Sequence, residues 1–435
     1  MVMAFLAATP AWAAAAGPGL TEADVLAAVV TDHPGLAAVR TRQAAAGRAA
    51  DRSAGLPAPG FRFTVTGIDP TFATLPTAML MAEQPIPLGG QRGAQAAAAR
   101  AGAAVLAVEM PLAEGELRAT ARLAFATWRD LHARLEALTA QIRAGDTTLQ
   151  ALGRLIGSPR GPTPARLVRI QSEIESLRVE HEAVAAALPD AALRLNLLLG
   201  RPAGTPVPLP DLALPAFDLA AAEAASTLAA QADHPASRRL ALQATAARTA
   251  ARAEAAAGSA MLMPGAGVMT MPHVPVAFLV TVGVTLPRFG PGDGRIQAAV
   301  AQAAGEATAL DQTAAATGRA LAAALTEALG QVRQAQVRRS GWRDRVVPGL
   351  QRAFEATLPA LATGGGTVGE VAEALRRLAE AELQRVDLDT QWLRARATWL
   401  ALRETGGARA STPQPAAGTA ATPMGDAGGM AGMGM

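Results

Sequence analysis

The sequence contains no cysteine, no tyrosine and no lysine, and only 3% of its 435 residues are aromatic. Without cysteine there is no disulfide framework, no thiolate zinc site, no cysteine nucleophile and no N-terminal lipidated cysteine. Few aromatics, together with a 50% hydrophobic content to which alanine contributes heavily, favour long helices over a β-sandwich or a barrel enzyme. Charged residues are also scarce at 17%, against a usual figure near ~25%. All the basic residues are arginine and the net charge is only +3. No basic block of the kind that grips nucleic acid is present, so no nucleic-acid partner is expected. No glycine-rich phosphate loop follows a strand, and no HExxH, nucleophile-elbow or EF-hand pattern occurs. Neither enzymatic activity nor a cofactor is expected.

What is present begins with an apolar stretch, Met1 to Ala16, in which Ala11-Trp12-Ala13 fits the small-x-small pattern of a signal-peptidase site. Residues 1–16 are therefore read as an export signal, short and without a charged leading region. The alternative is an apolar N-terminus of a cytoplasmic protein.

The chain then repeats itself. Asp32-His33-Pro34 recurs as Asp233-His234-Pro235, and Pro87-Leu88-Gly89 is answered by Pro287-Arg288-Phe289-Gly290, at offsets of 200 to 201 residues. A period this long marks duplication of a whole unit and not a solenoid. The units are placed at residues 17–210 and 211–405, followed by a disordered, Met- and Gly-rich tail at 406–435.

Each unit reads as helix, β-hairpin, long helix and returning helix. Thr21 and Asp24 form a capping-box-like start for a helix running to about Ala54. Phe61, Phe63 and Val65 alternate with Arg62, Thr64 and Thr66, a period-two strand signal, and Thr77 to Ile86 is the returning strand. A long helix follows from about Gln91 to Gly157, which at roughly 65 residues would reach on the order of 100 Å; Pro111 should kink it. Leu117, Ala121, Ala124, Trp128, Leu131, Leu135, Leu138 and Ile142 are spaced alternately by four and three, a heptad seam. Leu167, Ile170, Ile174, Leu177, His181, Val184 and Leu188 continue that pattern on the returning helix. In the second unit, Ala255 to Pro287 carries no formal charge, but Pro264, Pro272 and Pro275 argue against a transmembrane helix. Two strands and a turn are predicted there, with Phe278, Val280, Val282 and Val284 on one face. One helix over about Arg295 to Leu361, a reversal at Gly364 to Gly366 and a last helix to about Glu404 complete the plan.

Four short strands with open edges cannot span a bilayer, since their edge N–H and C=O groups would be unpaired in lipid. Three copies giving four strands each would close a twelve-stranded barrel. The expected fold is thus mainly α with a membrane β-barrel, the long hairpins forming a helical tube below it.

This arrangement resembles the outer membrane factor family, the TolC-like trimeric exit ducts of Gram-negative efflux pumps. The likeness is carried by the duplicated plan, by Asp-His-Pro where the family usually has Asn-Pro, by Gln84-Pro85-Ile86-Pro87-Leu88-Gly89-Gly90, and by Leu195-Asn196-Leu197-Leu198-Leu199-Gly200. It implies a homotrimer with a β-barrel in outer-membrane lipid and an α-helical barrel crossing the periplasm. A periplasmic adaptor would join it to an inner-membrane transporter of the RND or ABC type.

The resemblance also places candidate residues. Glu370 and Glu373 fall where paired acids ring the family's periplasmic mouth, with Glu in place of the usual Asp. The bland alternative is an exposed helix face on which Glu373 pairs with Arg376 or Arg377. Arg166-Leu167-Val168 and Val368-Gly369 resemble the family's two adaptor-docking motifs, each with one residue changed; ordinary hairpin packing would equally use Leu167. Of 13 methionines, ten fall in three clusters: Met79 and Met81; Met261, Met263, Met269 and Met271, near His273; and Met424, Met430, Met433 and Met435. Thioether sulfur suits Cu(I) or Ag(I). The strand clusters read more readily as lipid- or lumen-facing filler, whereas the tail has no core to fill, so the metal reading is attached to the tail. It points to the heavy-metal branch as the substrate class. Drug efflux and type I secretion through the same duct remain alternatives, and a soluble periplasmic coiled-coil scaffold is the rival from another class. His33 and His234, each before a proline, read as helix-end caps.

Overall fold

A computed structural model describes residues 19–66, 77–154, 163–231, 234–271, 274–285, 292–363 and 365–406. The export signal at 1–16, the Pro287 to Gly290 landmark and the tail methionines lie outside them. The chain runs α1 (Glu22–Asp32), α2 (Pro34–Arg52), β1 (Gly60–Thr66), β2 (Thr77–Glu83), β3 (Ile86–Pro87), α3 (Gln91–Gly153), α4 (Pro164–Ala186), α5 (Leu188–Leu198), α6 (Leu219–Gln231), α7 (Pro235–Ala257), β4 (Met261–Met271), β5 (Val274–Thr285), α8 (Gly292–Gly341), a π turn (Trp342–Val346), α9 (Val347–Ala362) and α10 (Val368–Thr405). It is a mainly helical protein with one small antiparallel sheet.

The predicted single helix from Thr21 to Ala54 is two helices. The Thr21 capping box forms as expected, with Asp24 as its acid. Pro34, which has no N–H and forces its predecessor out of the helical region, ends α1 and begins α2. His33 sits between them at φ −70°, ψ 122°, and its Nδ1 accepts the Gly35 N–H at 3.1 Å. The repeat unit does the same: His234 Nδ1 accepts the Ala236 N–H at 3.2 Å to start α7. Here the imidazole is also buried, and its Nε2 donates to the Arg403 carbonyl at 2.9 Å. Gly406, at φ +67°, closes α10 against it; a Cβ there would lie 2.8 Å from His234 Cε1. The end of α10 and the start of α7 are therefore one joint.

The long helix α3 is continuous through Pro111 and, at 63 residues, is about 95 Å long. By length and composition alone it is apolar enough to cross a membrane. It packs against α2, α7 and α10. Seam residues Ala121, Trp128 and Leu138 are buried as predicted, but so are Arg122, Phe125 and Arg129 beside them, because α3 is covered on more than one side.

The predicted single helix over Arg295 to Leu361 is interrupted. Pro348 cannot donate, and its ring would strike the carbonyl four residues earlier. One turn widens in response: the Val347 N–H bonds to the Trp342 carbonyl, the i→i−5 pattern of a π turn. In the first unit the returning arm is likewise divided at Ala187, just before Pro189.

The segment Leu195 to Gly200, the last turn of α5 and its cap, is fixed by a buried amide. Asn196, fully buried, donates through Nδ2 to the carbonyls of Ala203 and Thr205 at 3.1 and 2.7 Å. The following linker returns to the start of the unit, where the Leu20 N–H donates to the Leu209 carbonyl at 2.8 Å and the Asp211 N–H to the Leu20 carbonyl at 2.9 Å.

The two hairpins meet in one sheet. β2 pairs with β1 on one side and with β4 on the other, β3 extends the β2 side of β4, and β5 pairs with the far side of β4. Among the described residues β1 and β5 are open edges. The core lies in three clusters spread along the helices. One joins α1, α3 and α5; another joins α6, α8 and α10 around Trp392 and Trp399; the third joins α4, α9 and α10 at the end remote from the sheet.

His234 gives a pH-dependent test of the joint. Burial lowers its pKa below the usual 6.5, so the folded state favours the neutral ring that caps α7. That contribution is complete above the unfolded-state value and is lost as the pH falls through the lower folded one. Thermal unfolding followed by circular dichroism should show stability decreasing on acidification below about pH 6.5. In a His234→Asn variant, which keeps a capping side chain without a titrating ring, this slope should flatten. His234→Ala should lose about 1–2 kcal/mol.

Candidate functional site

Three parts of the structure carry groups that could act: the end of the helical hairpins, the charged layer midway along them, and the sheet.

At the hairpin end, Thr367 starts α10 through a capping box. The Thr367 N–H donates to Glu370 Oε2 at 2.7 Å, and Thr367 Oγ1 accepts the Glu370 N–H at 3.2 Å. Glu370 is thus held at the helix N-terminus, where its charge meets the positive end of the dipole. Glu373, one turn on, accepts from Arg376 at 2.8 and 3.1 Å and from Arg377 at 2.6 Å. These hydrogen bonds, Arg376 first, hold its carboxyl below the usual range, so it stays ionised at neutral pH. The spacing read as a bland alternative is the pairing seen here.

The two segments likened to docking motifs come together at this end. Leu167 packs against the cluster that contains Ile170, Ile174, Val368, Val371 and Leu375. Val368 is buried in it, Gly369 is half-buried and Val168 is exposed. Arg166 lies in the first turn of α4.

Midway along, arginines are buried among acids contributed by distant parts of the chain. Arg122, 8% exposed, makes a two-point contact with Glu404 at 2.7 and 3.0 Å and lies 3.5 Å from Glu22. Arg396 holds the same Glu22 at 2.8 Å. About two helical turns further along α3, Asp130 accepts from Arg134 at 3.1 Å and from Thr390 Oγ1 at 2.7 Å, and Arg134 also pairs with Asp387. Arg129, Arg339, Arg385 and Asp389 line a cavity of about 520 Å³ beside the π turn. Burial raises the pKa of Asp389 and lowers those of Arg129 and Arg339, while their mutual attraction opposes both shifts. None of these residues was singled out from the sequence; the only signal was arginine and aspartate at successive turns inside an apolar seam.

The sheet sorts its side chains by face. Cross-strand registers place Phe61, Phe63, Leu80, Val268, Phe278, Val280, Val282 and Val284 together, and Phe61, Phe278 and Val280 are 74%, 86% and 79% exposed. This is a continuous, solvent-facing apolar surface of a kind that monomeric soluble proteins rarely show. The opposite face carries Arg62 with Glu83 at 3.6 Å, Thr64, Thr281, Met79, Met81, Met261, Met263 and Met269. No group of three His, Cys, Asp or Glu that could hold a metal is present among the described residues.

No protein-family model and no curated protein sequence matches the chain. Solved structures do. The open-state outer membrane channel MtrE of Neisseria gonorrhoeae superposes with a TM-score of 0.70 at 16% identity, covering 88% of this chain and 89% of that one. The outer membrane protein VceC of Vibrio cholerae gives 0.69 at 14% identity, covering 88% and 96%. CusC, described for the conformational changes accompanying folding and transmembrane channel formation, gives 0.68 at 15% identity, covering 88% and 90%. The chain therefore has the fold of these outer membrane channels over nearly all its described length.

The buried arginine at the centre offers a direct test of what ties the termini of the two units to α3. Arg122→Leu strands Glu404 without its two-point partner and weakens the hold on Glu22. Chemical denaturation should show a loss of about 3 kcal/mol. Adding Glu404→Gln to the same chain should recover part of that loss, because the uncompensated charge is then removed.

Proposed function

We propose that this chain is an outer membrane factor: the outer-membrane channel of a tripartite efflux system, a passive exit duct with no chemistry of its own. The observation that carries the reading is the sheet. It presents an exposed apolar face and two unpaired edges at one end of a bundle whose longest helix, α3, is about 95 Å long, and only closure with further copies in lipid satisfies both features at once. Three copies would give a twelve-stranded barrel, and the hairpins would continue as a helical tube into the periplasm. A coiled-coil scaffold in water has no use for Phe278 and Val280 on an open strand face.

In this reading a periplasmic adaptor docks at the hairpin ends, where Arg166, Leu167, Val168, Val368 and Gly369 are gathered, and links the duct to an RND or ABC transporter. Glu370 and Glu373 stand at the mouth. The substrate class we favour is soft metal cations such as Cu(I) and Ag(I), on the strength of the methionines; Met424, Met430, Met433 and Met435 of the tail would assist there. Drug efflux and type I secretion use the same kind of duct.

Fractionation of cells expressing the full chain tests the reading. The protein should appear in the outer membrane and run as a heat-sensitive trimer on an unheated detergent gel. Recovery as a soluble monomer would sink it. The mouth assignment is tested separately by reversal potentials in planar bilayers. Glu370→Gln with Glu373→Gln leaves Arg377 without its acid partner and Arg376 with Glu380 alone, so selectivity should move toward anions. An unchanged reversal potential would remove these residues from the conduction path.

A further inference from the structure

The strands carry two charged side chains among their described residues, Arg62 of β1 and Glu83 of β2. Both stand on the face opposite Phe61, Phe63 and Phe278, and Arg62 Nη2 lies 3.6 Å from Glu83 Oε2. The pair sits at the end of the sheet next to the helices. β1 opens there with Gly60, which is directly across from Glu83, the last residue of β2. The chain leading into β1 is anchored. Gln84 Nε2 donates to the Pro57 carbonyl at 2.7 Å, and the Arg92 guanidinium of α3 donates to the Ala54 carbonyl at 2.6 and 3.1 Å.

The two charges are not equally placed. Glu83 is flanked in register by Gly60 and Gly265, and a Cβ on Gly265 would come within 3.2 Å of Glu83 Cγ. The glutamate therefore lies against the glycine, and its side chain is 22% exposed, against 65% for Arg62. The residues that β5 turns to this face, Ala277, Leu279, Thr281 and Gly283, are uncharged. Arg62 is thus the charge that projects from it.

An ion pair this open to solvent contributes little to stability, so the strands do not need these charges in order to pair. Ionisable groups at membrane depth are costly, and those that face a water-filled cavity mark ion pathways. Lumen-facing positions of a barrel tune selectivity, and rings of arginine select anions in pores.

We propose that Arg62, one from each copy, forms a ring of positive charge at the helix-side end of the barrel lumen, gives the duct a preference for anionic solutes at that level, and is steadied there by Glu83. The inference rests on the channel reading. The ring is opposite in sign to the acids placed at the periplasmic mouth, so the two levels move a reversal potential in opposite directions when neutralised.

The chain contains no cysteine, so Arg62→Cys places a single thiol per chain on this face. The full-length variant, reconstituted in planar bilayers, is treated with a water-soluble cationic or anionic methanethiosulfonate. The cationic reagent should return the reversal potential toward the wild-type value, and the anionic reagent should move it further toward cation selectivity. Phe278→Cys, on the opposite face, should respond to neither. In Arg62→Gln the anion-to-cation permeability ratio should fall about twofold, and in Glu83→Gln it should rise, with the heat-sensitive trimer unchanged in each. Trimeric channels in which the reagents leave Arg62→Cys unaffected, or in which Arg62→Gln keeps the wild-type ratio, would overturn the ring and leave the channel reading standing. A soluble monomer that conducts no current would overturn the channel reading and the ring together.

Discussion

A helix of 63 residues is held by what covers it, since propensity alone stabilises helices only weakly and most of their stability in proteins comes from packing an apolar face. Everything else in this fold is arranged along α3. Near the sheet it lies beside α2 and α7. Midway, Ala121, Phe125 and Trp128 meet α1 and α5, while Ala126 meets α6, α8 and α10; at the far end Leu152 meets Ile170, Ile174 and Leu375. Gly145 is part of that last contact, because a Cβ there would sit 2.8 Å from Ile174 Cγ1. The duplicated second unit supplies α7 and α10 to this cover, so the first unit's long helix is enclosed by elements of both units.

That dependence explains the buried charge. Where three or more helices meet around α3, side chains that a two-helix seam would leave in water are enclosed. Arg122 and Arg129 occupy such positions, and their partners include groups from distant parts of the chain: Glu404 and Glu22 for Arg122, Asp389 and the Leu212 carbonyl beside the neighbouring Asp130 for Arg129. Buried ion pairs contribute little net stability over apolar packing, but removing one partner is costly. They therefore act here as fasteners of register: Glu22 of the first unit and Glu404 of the second meet on one arginine of α3.

Much of this was legible from residues alone, and the rest was hidden for identifiable reasons. The Thr21–Asp24 cap, the strands of Phe61 to Val65 and Phe278 to Val284, and the Glu373–Arg376 and Glu373–Arg377 spacings are local, and local signals read well. Pro34 and Pro348 are also local; their effect was underestimated because helix-compatible sequence continues on both sides of each, and the chain answered with a break at one and a widened turn at the other. Glu404 and Thr390, which meet Arg122 and Asp130, lie more than 250 residues away from them, and no period in a single sequence carries that information. The face of the strand methionines was hidden for the same reason. It is fixed by β2 pairing with β4 across units, and a slip of one residue would have put Met79 and Met81 with the phenylalanines.

The same register argument limits what the sheet can be. With Phe61, Phe278 and Val280 exposed on one face and Arg62, Glu83 and Thr281 on the other, the sheet is built for two different media. A helix layer over the apolar face would satisfy a soluble protein, but α1 to α10 all pack elsewhere. A flat aggregate would pair the edges yet leave the polar face enclosed. In the channel we propose, closure with other copies in lipid would pair β1 with β5 of a neighbour, cover the phenylalanines with acyl chains and leave water beside the threonines and the Arg62–Glu83 pair. The long helices at the other end then need no lipid, because their apolar residues are already spent on one another around α3.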